Sequence, residues 1–185
     1  LPLYSVIGGK LTTCRSLAEE SAHTILTRIG QPVVTNSRER PLPGGEDYPH
    51  DRAALEKRWD DLAVRYSLER EQVVAMWDLV GTRVEEVLAG IAGFSAQKLA
   101  DTKLPRDFAR WVVEHEFPRS VSDLVERRLM LLYVPTISLA TLRELAGMLA
   151  DEGVIAADEV EQEVDRAAER LATHFGKHVG HASRA

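Results

Sequence analysis

One cysteine, Cys14, stands in 185 residues. No internal disulfide can form, and a reducing, cytoplasmic setting is the natural expectation. Long apolar runs are missing. The longest, Leu129 to Val134, is far too short to span a bilayer, and no charged start followed by an apolar run marks a signal peptide. Excess positive charge is missing as well: 23 Lys and Arg face 29 Asp and Glu, for a net charge of -6. The basic residues are scattered rather than gathered into a stripe, so nucleic acid is not expected as a partner. Aromatics make up only 6% of the chain. All three tryptophans, Trp59, Trp77 and Trp111, fall on apolar helical stripes, where packing outweighs ligand stacking. There is no internal repeat, sustained heptad or low-complexity segment.

What is present is the balance of an ordinary globular chain, 44% hydrophobic and 28% charged, long enough for one domain plus a fragment of another. It opens at Leu1 without a methionine on a strand-like run, as a piece of a longer protein is expected to. Leu1 to Ile7 is rich in β-branched and aromatic residues and ends in Gly8-Gly9, which predicts a short strand running into a turn. From Thr12 or Thr13 as cap, Ala18, Ala22, Ile25, Leu26 and Ile29 recur at helical spacing. Residues 31–50 hold Pro32, Pro41, Pro43, Gly44, Gly45 and Pro49 without any period and predict a linker.

Beyond it every segment carries the 3.6-residue period. Helices are predicted from about Asp51 to Tyr66; from a Ser67 cap to Gly81; and from a Thr82–Glu85 capping box through Val84, Val87, Leu88 and Ile91. Others are predicted from Pro105 to before Pro118, from Ser120 through Leu131, from Ser138 to Gly153 and from about Asp158 to Phe175. The fold class is therefore mainly α: a helical bundle of about seven to eight helices preceded by one short strand.

Chemistry is written in one place. Gly8-Gly9-Lys10-Leu11-Thr12-Thr13 sits between strand and helix, where glycines permit positive φ and close approach of the backbone. A helix start there leaves N–H groups that favour an electron-rich partner, and Lys10 adds a mobile cation. Such a cradle suits a phosphate or the oxygen of a reduced flavin ring. It matches neither Gly-x-Gly-x-x-Gly nor the Gly-x-x-x-x-Gly-Lys-Thr loop, and on spacing alone a plain turn with a capped helix is the commoner reading.

The string from Ser5 through Glu19 (Ser-Val-Ile-Gly-Gly-Lys-Leu-Thr-Thr-Cys-Arg-Ser-Leu-Ala-Glu) resembles the segment that closes the flavin domain of the aerobic, FAD-dependent glycerol-3-phosphate dehydrogenases. That family's pattern is Gly-Gly-Lys-Leu-Thr-Thr-Tyr-Arg followed by an alanine- and glutamate-rich helix. Looser similarities follow in order: Pro41–Gly45, Gly81-Thr82-Arg83, Val112–Glu116 and Ser122–Arg128. Cys14 departs from the family's aromatic residue, and Leu129-Met130 from the polar pair after its arginines. The resemblance implies that residues 1–30 close an otherwise absent FAD-binding domain, that 31–50 link it, and that 51–185 form a carboxyl-terminal helical domain. It implies that Gly8, Gly9, Lys10, Leu11, Thr12 and Thr13 contact FAD and that Lys10 stabilises reduced flavin or the substrate phosphate.

The implied reaction oxidises sn-glycerol 3-phosphate to dihydroxyacetone phosphate with electrons passed to quinone. The fragment alone is expected to be inactive, with no FAD bound and no catalytic residue of its own. The helical domain is expected to support the enzyme, through homo-oligomer contacts or peripheral contact with the inner face of a membrane. A helical protein–protein interaction module without catalysis is the competing class.

Other candidates have plain readings. His174, His178 and His181 lack a carboxylate or thiol placed to complete a metal site, and a solvated tail is expected. Arg127 and Arg128, with Asp123 and Glu126 nearby, read as a salt-bridged surface or as a phosphate or lipid contact. Cys14 has a helix-start location but no base to activate it. His115 between Glu114 and Glu116 is an acid–base pair only in isolation.

Overall fold

The computed structural model describes residues 3–34 and 36–180. These form two compact units, one within Leu1–Leu42 and one within Pro43–Ala185. Among the described residues the regular structure is helical, as the periodicity predicts: α1 Cys14–Arg28, α2 Arg52–Tyr66, α3 Arg70–Val80, α4 Val84–Gly90, α5 Arg106–His115, α6 beginning at Val121–Asp123, α7 Leu139–Asp151 and α8 Val160–Phe175.

In the first unit the expected strand does not form over residues 3–7; Leu1 and Pro2 lie outside the described residues. Residues 3–10 have no regular structure and pair with no strand among the described residues, and a strand exists only through its partner's hydrogen bonds. The segment runs back along α1 instead, with Arg28 donating to the Tyr4 hydroxyl at 3.3 Å and Leu17 closing on Gly8. The helix forms as expected, yet its apolar stripe is not buried: α1 holds no buried residue, and Ile25 is 45% exposed. Ala18, Ala22 and Ile25 all remain exposed on its surface.

In the second unit α2 starts where Asp51 accepts from the Ala54 amide at 2.8 Å. It stops at Ser67, which turns left-handed at φ 53°. Ser67 therefore ends one helix rather than capping the next. That role falls to Glu69, whose amide donates to the Gln72 side chain at 3.0 Å while Gln72 donates in turn to the Ala96 carbonyl. The Thr82–Glu85 box is absent too: Gly81–Arg83 is a 3-10 turn without a side-chain cap, and Glu85 reaches Arg58 and Arg65 on α2 instead.

Ser120 caps α6 at 3.1 Å, and after three residues the helix widens into a π-turn over Leu124–Arg128, closed by the Leu129 amide on the Leu124 carbonyl at 2.8 Å. Met130 then turns left-handed at φ 51°, so the helix ends short of Leu131. Ser138 caps α7 at 3.1 Å, and Gly176 at φ 62° ends α8.

The core lies where α7 and α8 pack along each other, with α5 and α6 against them. Leu142, Leu145, Leu149, Val164, Ala167 and Phe108 are buried there, each large side chain contributing about 1.5–3 kcal/mol. Two carboxylates on facing elements fasten α6 to α8. Glu163 accepts from the Val121 amide at 2.8 Å and pairs with Arg166 at 2.7 Å. Arg170 donates to both oxygens of Glu126, at 2.5 and 2.9 Å.

The Arg170 bond, above all, holds the Glu126 carboxyl below the ordinary glutamate range, with Arg170 charge adding to it. A depressed folded value means stabilisation that is complete above the unfolded value of about 4.3 and lost as pH falls through the folded one. The stability difference between the parent chain and Glu126→Gln should therefore be full at pH 7 and shrink below pH 4. Urea melts across that range check it; a difference constant down to pH 2.5 overturns it.

Candidate functional site

The Gly8–Thr13 turn lies on the surface. Residues Leu11–Thr13 form a 3-10 turn that runs directly into α1, and every residue from Gly8 to Thr13 is exposed. Its first backbone bond joins the Thr13 amide to the Lys10 carbonyl at 3.2 Å, doubled by the Thr13 hydroxyl at 3.0 Å. The amides of Leu11 and Thr12 precede that bond, as the opening N–H groups of a helix do. Neither Gly8 nor Gly9 adopts positive φ, so the conformational reason expected for the pair is absent here. A Cβ on Gly9 would meet nothing, and one on Gly8 would touch Leu17 at 3.0 Å.

Leu11 is 88% exposed, an apolar side chain presented beside free amides and the cation of Lys10. That combination can take a flat, partly apolar group carrying an anionic or carbonyl oxygen.

Sequence reasoning missed what holds α1 to the chain after it. Arg15 donates to the Arg40 carbonyl at 2.6 Å and to the Ser37 carbonyl. Glu19 accepts from the Ser37 hydroxyl at 2.5 Å and its amide at 3.2 Å, and the hydroxyl bond first, then the amide, lowers the Glu19 carboxyl below its usual range. Residues 36–40, read as plain linker, are thus tied to α1. Three of the four partner groups belong to the backbone, which leaves little side-chain signal to read.

The remaining candidates separate cleanly. Trp59 and Trp77 are buried and Trp111 is half-buried, all packed in or against the core. Arg127 pairs with Asp123 at 3.0 Å and Arg128 with Glu116 at 3.3 Å, the salt-bridged surface among the two readings. His115 stacks on Trp111 with ring centroids 4.6 Å apart, and its Nδ1 lies 2.9 Å from the Trp111 carbonyl. Cys14 is exposed. Among the described residues no group of three or more His, Cys, Asp and Glu could hold a metal; His181 lies outside them. No helix there is long and apolar enough to cross a membrane.

The sequence reading names Gly44 and Gly81 in separate segments but not their pairing. Gly44 at φ 83° and Gly81 at φ 59° meet backbone to backbone, the Gly44 carbonyl accepting from the Thr82 amide at 3.0 Å. A Cβ on Gly81 would stand 2.0 Å from the Gly44 oxygen.

Residues 35–160 match the family described as the C-terminal domain of alpha-glycerophosphate oxidase. A glycerol-3-phosphate dehydrogenase of Pseudomonas aeruginosa is 36% identical over 135 residues, 69% of this chain and 24% of the relative. A glycerol-3-phosphate dehydrogenase of Synechocystis is 32% identical over 134 residues, 68% of this chain and 23% of the relative. A D-erythritol 1-phosphate dehydrogenase of Brucella abortus is 32% identical over 136 residues, 69% of this chain and 25% of the relative. The chain spans about a quarter of the length of these relatives. No solved structure matches it.

Proposed function

Since the chain belongs to the family of the C-terminal domain of alpha-glycerophosphate oxidase, we propose that it is the carboxyl-terminal part of a flavin-dependent oxidoreductase acting on sn-glycerol 3-phosphate. The product is dihydroxyacetone phosphate, and the electrons pass to quinone. On this reading residues 1–30 close the FAD-binding domain, 31–50 link it, and 51–185 support the enzyme. This last part contributes to subunit contacts or to a peripheral seat on the membrane. The isolated chain is inactive.

One observation carries the proposal: the exposed turn from Gly8 to Thr13, with the opening amides of a helix and a lysine, precedes the family-matched residues 35–160 with α1 between them. The residues fit the edge of a flavin. Open space at Gly9 admits a ring close to the backbone, Leu11 offers apolar contact, and the amides of Leu11 and Thr12 can donate to a ring carbonyl. FAD, when bound, supplies the acceptor for the hydride removed from the substrate's secondary alcohol. Lys10 has the charge to hold an anionic oxygen, on reduced flavin or on substrate phosphate, and Thr13 fixes the Lys10 carbonyl so that this backbone stays in place.

A phosphorylated four-carbon polyol is the second reading for substrate, favoured by the Brucella relative. The same full-length preparation answers both questions. It should be yellow and reduce a dye on addition of glycerol 3-phosphate, with kcat/KM lowered about tenfold in Lys10→Met while flavin absorbance stays. A higher kcat/KM for erythritol phosphate would move the substrate assignment. A colourless protein would leave a helical interaction module.

A further inference from the structure

Inside the helical unit a groove of about 880 Å³ runs between α3 and the loop that follows α6. Val74, Ala75 and Leu79 of α3 line one side; Met130, Tyr133 and Val134 line the other. That second wall is irregular. It begins at the left-handed Met130, continues as a single 3-10 turn over Leu131–Tyr133, and leaves Tyr133 74% exposed. A wall with so few bonds of its own depends on what grips it from behind.

The grip comes from the end of the chain. The Lys177 ammonium donates to the Leu132 carbonyl at 3.0 Å and to the Val134 carbonyl, the groups that the short turn leaves unsatisfied. Three residues on, the Gly180 amide donates to the Ile137 carbonyl at 3.2 Å, and the Leu139 amide donates to the Gly180 carbonyl at 3.3 Å. Val179 between them packs against the core.

We infer that Lys177–Gly180 is a latch: it holds residues 132–136 as the lid of this groove, and loss of the Lys177 charge opens it. A charge-assisted bond to a carbonyl is stronger than a neutral one, so the ammonium outweighs the two amide bonds in keeping the lid down. Leu129 and Leu131 stay anchored in the core, so the stretch beyond them moves as a local unit while α7 and α8 remain packed along each other.

Hydrogen exchange of the whole chain tests the latch in Lys177→Met, Lys177→Arg and Gly180→Pro, the last removing the amide that meets Ile137. In Lys177→Met the amides of residues 131–138 should exchange at least about tenfold faster, with the buried amides of α7 and α8 unchanged. Lys177→Arg should stay within about threefold of the parent, and Gly180→Pro should accelerate the same residues. An apolar dye should bind more strongly to Lys177→Met as the groove opens. Unchanged loop exchange overturns the latch. Acceleration spread evenly through α7 and α8 overturns the local lid, as does a faster loop with unchanged dye binding. Should Lys177→Met fail to fold, Gly180→Pro decides by the same readings.

Discussion

Gly81→Ala lowers the stability of the helical unit by about 4 kcal/mol, the sum of about 1–3 kcal/mol for a left-handed alanine and about 1–3 kcal/mol for overpacking. Both costs apply because the position has two independent demands. Its φ of 59° is strained for any side chain, and a Cβ would sit 2.0 Å from the Gly44 oxygen, which is backbone and cannot swing aside. For a unit of this size the thermal midpoint falls by roughly 12 °C, read by near-ultraviolet circular dichroism. Gly44→Ala costs less, about 2 kcal/mol, since its Cβ would meet the Val80 oxygen at the longer distance of 2.3 Å and the irregular chain around it can give. A Gly81→Ala protein that melts with the parent, or a Gly44→Ala protein that melts lower than Gly81→Ala, contradicts this account.

Glu163→Ala should cost about 3 kcal/mol. The side chain is 5% exposed and is the partner of the Val121 amide at the first turn of α6. Alanine leaves that buried N–H without an acceptor and strips Arg166 of its carboxylate. Glu163→Gln keeps an acceptor for Val121 and loses only the charge, so about 1 kcal/mol is expected. Urea unfolding of both variants separates the contributions. Equal losses would mean that the charge, not the amide bond, fastens α6 to α8.

Helices were legible wherever a local rule had no rival. Asp51, Ser120 and Ser138 each sit before a periodic apolar run and each accepts from the amide three residues on. Gly176 ends α8 in the conformation glycine permits most easily. The rules failed where a distant group competed. Glu85 is drawn to Arg58 and Arg65, so the capping box written at Thr82 goes unused. Ser67 is left-handed because Leu68 must turn into the core behind it, where it is 8% exposed. The Leu1–Ile7 run has strand composition, but composition supplies no partner, and residues 3–10 lie against α1 instead.

The candidate site divides in the same way. The residues of the turn at Gly8–Thr13 were readable because their types and order are the signal. Their conformation was not: Gly8 and Gly9 avoid positive φ, while Gly44 and Gly81, unremarkable as isolated letters, need it. The grip of Arg15 on Arg40 and Ser37 was invisible for a related reason, since every residue carries a carbonyl and none advertises which one is used.

The Tyr48–Trp77–Trp59 chain makes the helical unit its own optical gauge. Tyr48 receives the Trp77 indole hydrogen bond at 3.0 Å with ring centroids 5.6 Å apart, and Trp59 lies edge-on to Trp77 at 6.4 Å. Excitation energy absorbed by Tyr48 drains into the tryptophans at those separations, so recovery of tyrosine emission signals that the segment just before α2 has swung off the helices. Trp111 belongs to a separate stack, with His115.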